Sequence, residues 1–347
     1  MSLYFSNQQK EYLETWMNNV SRSFALITPC FEEPLDSLMA TAYLICRVAD
    51  NIEDSLQSFE WKQARFAELK LMMQEPLLAS NILSKWLPED WLGLESIQKQ
   101  FLQENLMLWQ IYRLMPNISQ TIVRRWVMTI IEGMEQMLNP LQAPINLSDN
   151  GVRLLKTEKD YEDYCYFVAG TVGHMGTELA INQYNLSLPI STRLIDSCEF
   201  CGKGLQKTNI IKDFREDLNR GLCYLPDIWM QEVDRMPLYL QGASKFWKKK
   251  VLTNVLIELD KSVEYVKTIP YQAAGYRLAS LMCLLPAYQT ILSAAQKQEH
   301  LFTPQHNIKI SRNCFSDCIK DAKNMVKDNE ALLNYSQQLQ KSIKQAF

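Results

Sequence analysis

Apolar residues recur at helical spacing along almost the whole chain. Leu35, Leu38, Met39, Ala42, Tyr43, Ile45 and Cys46 fall at i, i+3 and i+4 intervals and lead into an acidic run at 50–54. That pattern predicts a core helix that surfaces at its C-terminal turn. The same periodicity predicts helices over about 60–74, 95–114, 117–138, 158–184, 190–218, 244–266, 272–297 and 312–344. Turn residues separate them: Pro34 after two glutamates, Pro88, Pro116 followed by Asn117, and the stretch at 139–151. The segment 219–242 reads as the longest loop region, and 298–307 as a second polar gap with Pro304 and two histidines. No repeat of fixed period is present, which argues against a solenoid.

Composition narrows the class. Eleven glycines and thirteen prolines in 347 residues are few for a chain with many tight strand turns, so the expectation is an all-α protein. Apolar residues at 47% and charged residues at 22% are the proportions of a globular core, which excludes disorder for most of the chain. The formal charge of −3 gives no reason to expect a nucleic-acid partner. Nine scattered cysteines read as reduced thiols inside helical windows; the one CxxC, Cys198 and Cys201, has no second pair for a metal site. The N-terminus lacks the basic start and apolar core of a signal peptide, and no apolar stretch approaches about 18 residues. The expected location is cytoplasmic, free or peripheral at a membrane, without a transmembrane anchor.

One short acidic pattern occurs twice. Asp50, Glu53 and Asp54 form D-x-x-E-D, and so do Asp213, Glu216 and Asp217. On a helix these positions share a face, so each motif is expected to stack carboxylates within about 5–6 Å. Divalent cations relieve such repulsion, and Mg²⁺ takes oxygen ligands while sharing its shell with phosphates. Asn209 and Gln206 extend the second stripe by one and two turns. Arg47 stands three residues before Asp50, and Arg22 opens an earlier helix; beside a diphosphate, a guanidinium gives charge-assisted contacts. The bland alternative is a non-catalytic helical scaffold whose acids are solvated helix ends. Gly170, Gly173 and Gly176 follow no strand, so they are not a dinucleotide fingerprint; they permit close helix approach or leave room for a ligand.

The blocks S-R-S-F at 21–24, Y-L-I-C-R-V-A-D-N-I-E-D at 43–54, Y-C-Y-F-V-A-G at 164–170 and the run at 206–217 together resemble the squalene and phytoene synthase family. The blocks lie in family order over about 20–226. The resemblance implies an all-α isoprenoid synthase fold over 1–347, a single domain with helices around a central cavity. It implies a prenyltransferase that joins two farnesyl diphosphates head to head through presqualene diphosphate, with NADPH-dependent reduction to squalene. A non-reductive dehydrosqualene, hydroxysqualene or phytoene-type reaction is the alternative.

By matching, Asp50, Glu53, Asp54, Asn209, Asp213 and Asp217 are the implied Mg²⁺ ligands, and Ser21, Arg22, Phe24, Tyr43, Arg47, Gln206 and Lys212 the implied substrate contacts. Tyr164 matches the tyrosine assigned to catalysis, beside Asp50, Asp54, Asp213 and Asp217. The segment 308–313 is similar to one associated with NADPH, which implicates Lys309 and Arg312 together with Arg22 and Arg47. Ser311 and Asn313 depart from the common basic residue and glycine there, and Lys212 stands where arginine is common.

Overall fold

The computed structural model describes residues 5–21, 23–233 and 237–347. They fall into two compact units, Met1–Ala143 with Met175–Asn185, and Pro144–His174 with Leu186–Phe347.

The first unit is helical: α1 (Asn7–Val20), α2 (Phe24–Ile27), α3 (Leu35–Asp54), α4 (Phe59–Gln74), α5 (Ala79–Trp86), α6 (Ser96–Gln103), α7 (Leu106–Leu114) and α8 (Asn117–Leu138). Its spine is α3, where Leu35, Leu38, Ala42, Ile45, Val48, Ala49 and Ile52 are buried. Met39, Tyr43 and Cys46, expected in the same stripe, are only half-buried. The apolar stripe lies one step round the helix from that expectation, and this leaves Tyr43 and Arg47 on the flank that carries Asp50.

The run expected at 95–114 is two helices. Asn105, wholly buried, stands before α7 with φ −86° and ψ 9°, a position that short polar residues favour over a helix interior. Helices α1 and α5 were not expected. Little apolar patterning announces α1; Ser6 and Gln9 form a capping box at its start, and Leu13, Trp16 and Met17 anchor it.

The second unit opens with β1 (Ile145–Leu147) and β2 (Arg153–Leu155), followed by α9 (Glu158–Cys165) and a π-helical turn at Tyr166–Gly170. Then come α10 (Thr171–Tyr184), whose later residues belong to the first unit, α11 (Leu188–Ile195), α12 (Cys198–Lys212), α13 (Phe214–Asn219), β3 (Leu222–Pro226) and α14 (Asp227–Gln231). Four longer helices finish the chain: α15 (Lys245–Thr268), α16 (Ala274–Gln296), α17 (Arg312–Met325) and α18 (Asn329–Gln345).

The sheet, expected nowhere, has the order β1-β2-β3. β2 pairs antiparallel with β1 (Ile145 opposite Leu155) and parallel with β3 (Arg153 opposite Leu222). Strands this short leave almost no period-2 signal in a sequence. Part of the loop expected at 219–242 is ordered as β3, α14 and a 3₁₀ turn at Pro237–Gly242.

The long runs expected at 158–184, 190–218 and 312–344 are interrupted. Asp328 caps α18 by accepting the Ala331 N–H at 2.9 Å, which ends α17 early. The π-turn at 166–170 packs tightly against α12: a Cβ on Gly202 would lie 2.0 Å from the Ala169 carbonyl oxygen, and one on Gly173 2.5 Å from that of Cys198. Close helix approach is thus what Gly173 and Gly202 permit.

Helix α16 is long and apolar enough to cross a membrane, longer than any apolar stretch the sequence suggested, but 67% of its most apolar window is buried in the protein. Arg277 within it is fully buried and donates to the carbonyls of Val266, Ile269 and Val326, tying α15 to the α17–α18 corner. None of the nine cysteines is in a disulfide.

Candidate active site

In the first unit the motif residues gather on one flank of α3. Tyr43, Arg47, Asp50 and Asp54 follow steps of four, three and four, which keeps them on one face. Ser21, buried, accepts the Phe24 N–H at 3.0 Å and so starts α2, and the Phe24 ring tilts against Tyr43 at 5.1 Å between centroids. The Tyr43 hydroxyl is held above its usual pKa by burial, against a hydrogen bond from Ser21 and the nearby Arg47 charge.

Arg47 Nη1 donates to Asp50 Oδ2 at 3.3 Å, while its buried Nε has no hydrogen-bond partner. Burial raises the Asp50 carboxyl to about 6; Arg47 opposes that rise and Asp54 adds to it. Asp54, the last residue of α3, is exposed, and Glu53 is half-buried, its backbone carbonyl accepting from Lys62 Nζ at 2.7 Å. Arg22 lies outside the described residues.

The second cluster does not lie on one continuous helix. Asp213 is the junction of α12 and α13, with φ −98° and ψ 12°. Its N–H reaches Asn209 O at 2.7 Å and its carbonyl receives the Asp217 N–H at 3.0 Å, so the polar stripe continues through the break. Lys212 Nζ donates to Asn209 Oδ1 at 2.9 Å and lies 3.2 Å from Asp213 Oδ2. Asp217 is buried and accepts from Arg220 at 2.9 Å; burial raises it to about 6, against the pull of Arg220 and with repulsion from Asp213 and Glu216.

Beside this stripe, Tyr164 is buried and stacks on Tyr224 of β3, 4.4 Å between centroids and 12° between planes. Gln206 Nε2 approaches the Tyr164 hydroxyl at 3.5 Å. Two carboxylates behind the pair fix α9 against α12 and α15: Glu162 accepts from Lys207 at 2.5 Å, and Glu258 accepts from the same ammonium at 2.8 Å.

The candidate cofactor segment meets the second cluster through its middle acid. Asn307 Nδ2 donates to Glu216, and Lys309 Nζ lies 3.5 Å from it. Arg312, exposed, is the first residue of α17, with Ser311 as its cap.

The donor set is all oxygen, which suits a hard cation such as Mg²⁺. Asn209 and Asp213 oxygens already converge on one positive charge, the Lys212 ammonium, and each cluster contains a carboxyl whose pKa a neighbouring carboxylate pushes up. Among the described residues, however, no three acidic, His or Cys side chains are gathered as a ready metal site. The tight three-carboxylate stacks expected from spacing are therefore not seen among the described residues. Arg47, Lys212 and Arg220 each pair with a cluster carboxylate instead. Lys309 and Arg312 fit the phosphates of NADPH by charge alone. A groove of about 330 Å³ lined by Gln8, Tyr12, Trp16, Gln100 and neighbours contains none of the motif residues.

Residues that spacing did not reveal are Tyr224, Arg220 and the Glu162–Lys207–Glu258 group. Tyr224 follows a turn the sequence marks only as loop; the charged group sits at ordinary helical positions whose burial no pattern announces.

A family model described as squalene/phytoene synthase matches residues 17–314. The chain belongs to the squalene/phytoene synthase family. Family members with curated names include the bifunctional lycopene cyclase/phytoene synthase of Phaeosphaeria nodorum, 28% identical over 74% of this chain and 41% of that longer protein. Human squalene synthase is 22% identical over 93% of this chain and 72% of its own length. The squalene synthase ERG9 of Saccharomyces cerevisiae is 26% identical over 85% of this chain and 63% of its own. Among solved structures, a ligand complex of TcSQS superposes with a TM-score of 0.77 at 18% identity, covering 99% of this chain and 93% of that one. A dehydrosqualene synthase with ligand gives 0.62 at 20% identity, covering 92% and 97%. Those likenesses establish the fold: all-α, about 74% helical, with one small sheet.

Proposed function

We propose that this family member condenses two farnesyl diphosphates head to head, through presqualene diphosphate, and reduces the product with NADPH to squalene. The observation that carries the reading is the flank of α3. Tyr43, backed by the Phe24 ring of α2, a guanidinium with an unsatisfied buried N–H, and two carboxylates follow one another along one face of a helix whose opposite face is core. A buried N–H without an acceptor carries a penalty that a diphosphate oxygen removes. On this reading residues 1–347 work as one domain, and both acidic clusters act on the same diphosphate-bearing substrate.

Asp50, Glu53 and Asp54 in one cluster, and Asn209, Asp213 and Asp217 in the other, are the residues that would hold Mg²⁺. Bound there, the metal supplies charge neutralisation for the departing diphosphate. Arg47 and Lys212 add fixed positive charge at the same places, with Ser21 and Arg22 as further substrate contacts. The faces of Phe24 and Tyr43 stabilise an allylic cation by roughly 0.5–2 kcal/mol each where they meet it. Burial around Tyr164 keeps water from trapping that cation. The Tyr164 hydroxyl, oriented by the Gln206 amide and the stacked Tyr224 ring, takes up the proton lost when the cyclopropane closes and passes it to released diphosphate. Lys309, Arg312, Arg22 and Arg47 are the residues that would hold NADPH, whose chemistry would be hydride donation.

A second reading stops before reduction. It is favoured by the phytoene synthase relative, and by Lys309 being drawn to Glu216 in a segment without a basic residue at 311. Incubation with farnesyl diphosphate and Mg²⁺, with and without NADPH, separates the two by product mass. Squalene formed only with NADPH supports the first. A dehydrogenated, hydroxylated or unreduced product under both conditions supports the second, and no product from folded protein leaves a scaffold.

A further inference from the structure

The start of α15 breaks the usual electrostatics of a helix. Its first six residues include Lys245, Lys248, Lys249 and Lys250 and no acid, although a helix N-terminus is the positive end of the dipole and disfavours cations. Ser244 fixes the start of the helix by accepting the Trp247 N–H at 3.2 Å, which turns Trp247 inward and leaves Phe246 outside. Phe246 is 81% exposed, the neighbouring 3₁₀ turn adds Tyr239 at 59%, and α14 adds Ile228 at 47%.

Two hydrogen bonds hold these three elements together. The Trp247 indole donates to Trp229 O at 2.7 Å, bringing Ile228 to the helix that carries Phe246. Lys248, buried, donates to Gln241 O at 2.7 Å, tying in the turn that carries Tyr239. Lys250 is spent on Glu232 at 2.5 Å and on the face of Trp229. Lys245 and Lys249 are exposed and pair with no carboxylate among the described residues.

We infer that this face, Ile228, Tyr239 and Phe246 ringed by Lys245 and Lys249, is where the protein rests on an anionic lipid bilayer. Exposed aromatic and aliphatic side chains enter the boundary between headgroups and acyl chains, and lysines meet anionic headgroups within a Debye length. A single exposed leucine elsewhere is ordinary surface; an exposed phenylalanine, a tyrosine and an isoleucine on three hydrogen-bonded neighbouring elements, with two lysines that meet no carboxylate among the described residues, are not. The lipid charge also supplies the anion that the α15 N-terminus lacks. None of these residues belongs to the proposed catalytic machinery, and the inference does not depend on the reaction assigned above.

The test is sedimentation of the full chain, without substrate, with phosphatidylcholine vesicles containing or lacking phosphatidylglycerol. The wild type is expected to pellet with the anionic vesicles and to be released as salt rises. Phe246→Ser, and separately Lys245→Glu with Lys249→Glu, are expected to weaken binding by about tenfold or more at unchanged melting temperature. Equal binding by the variants, or no binding of the wild type at low salt, overturns the inference. So does a shift from dimer to monomer on Phe246→Ser in analytical ultracentrifugation, which would make this face a contact between copies of the chain.

Discussion

The two acidic clusters have the same spelling and different construction. The first occupies the last turn of an unbroken helix, with its cationic partner, Arg47, one turn back on that helix. The second straddles a helix junction and is flanked on both sides by cations, Lys212 before it and Arg220 after it. Their middle acids differ as well: Glu216 is engaged by Asn307 and Lys309, whereas Glu53 is half-buried beside an Asp54 that ends its helix. Equal spacing thus fixes which residues are near one another but not how firmly they are held. The first cluster is held by one continuous helix, and the second by salt bridges across a helix junction.

The largest effects are expected where the comparison predicts equivalence. Asp50→Asn and Asp213→Asn should each lower product formation by about 10²-fold or more, read in single-turnover assays with farnesyl diphosphate. A large loss in only one of them would break the pairing. Tyr164→Phe should lower turnover by about 10²-fold or more with little change in KM, because the role proposed for it is proton transfer and not binding; Tyr43→Phe on the first flank should cost much less. Gly202→Ala places a methyl against the Ala169 carbonyl and should destabilise the fold by about 2 kcal/mol or more in thermal unfolding, displacing the second cluster and sparing the first.

Glu216→Gln loses one exposed ion pair, so a change below about tenfold, confined to KM for NADPH, is expected. The smallest effect is on pH dependence. Asp50 and Asp217 have folded pKa values raised to about 6, so between about pH 4 and 6 the native state binds more protons than the unfolded one. In metal-free buffer stability should therefore fall as pH rises through that window, and Asp50→Asn should flatten the fall in a melting-temperature series.

Much of this arrangement was legible in the sequence because its signals are local. The stripe on α3 and the repeated D-x-x-E-D need only helical spacing to be seen, and the α3 register was misjudged by one step because Met39, Tyr43 and Cys46 are as apolar as the residues that are buried. What escaped depends on partners distant in sequence. Tyr224 matters because Tyr164 stacks on it, and the break at Asp213 occurs inside a run whose residues all tolerate a helix. The π-turn at 166–170 follows from how closely Gly202 lets α12 approach, which no single window contains. The interruption near 328, by contrast, is carried by Asp328, a residue type whose preference for helix caps is itself a local signal.

The central claim is that two differently built clusters serve one substrate. A double-mutant cycle on kcat/KM, with Asp50→Asn, Asp213→Asn and the pair together, addresses it directly. The account predicts strong non-additivity, the double variant being little worse than the more damaged single one, as for residues that act as a unit. Losses that multiply, or a single variant with undiminished kcat/KM, would contradict it.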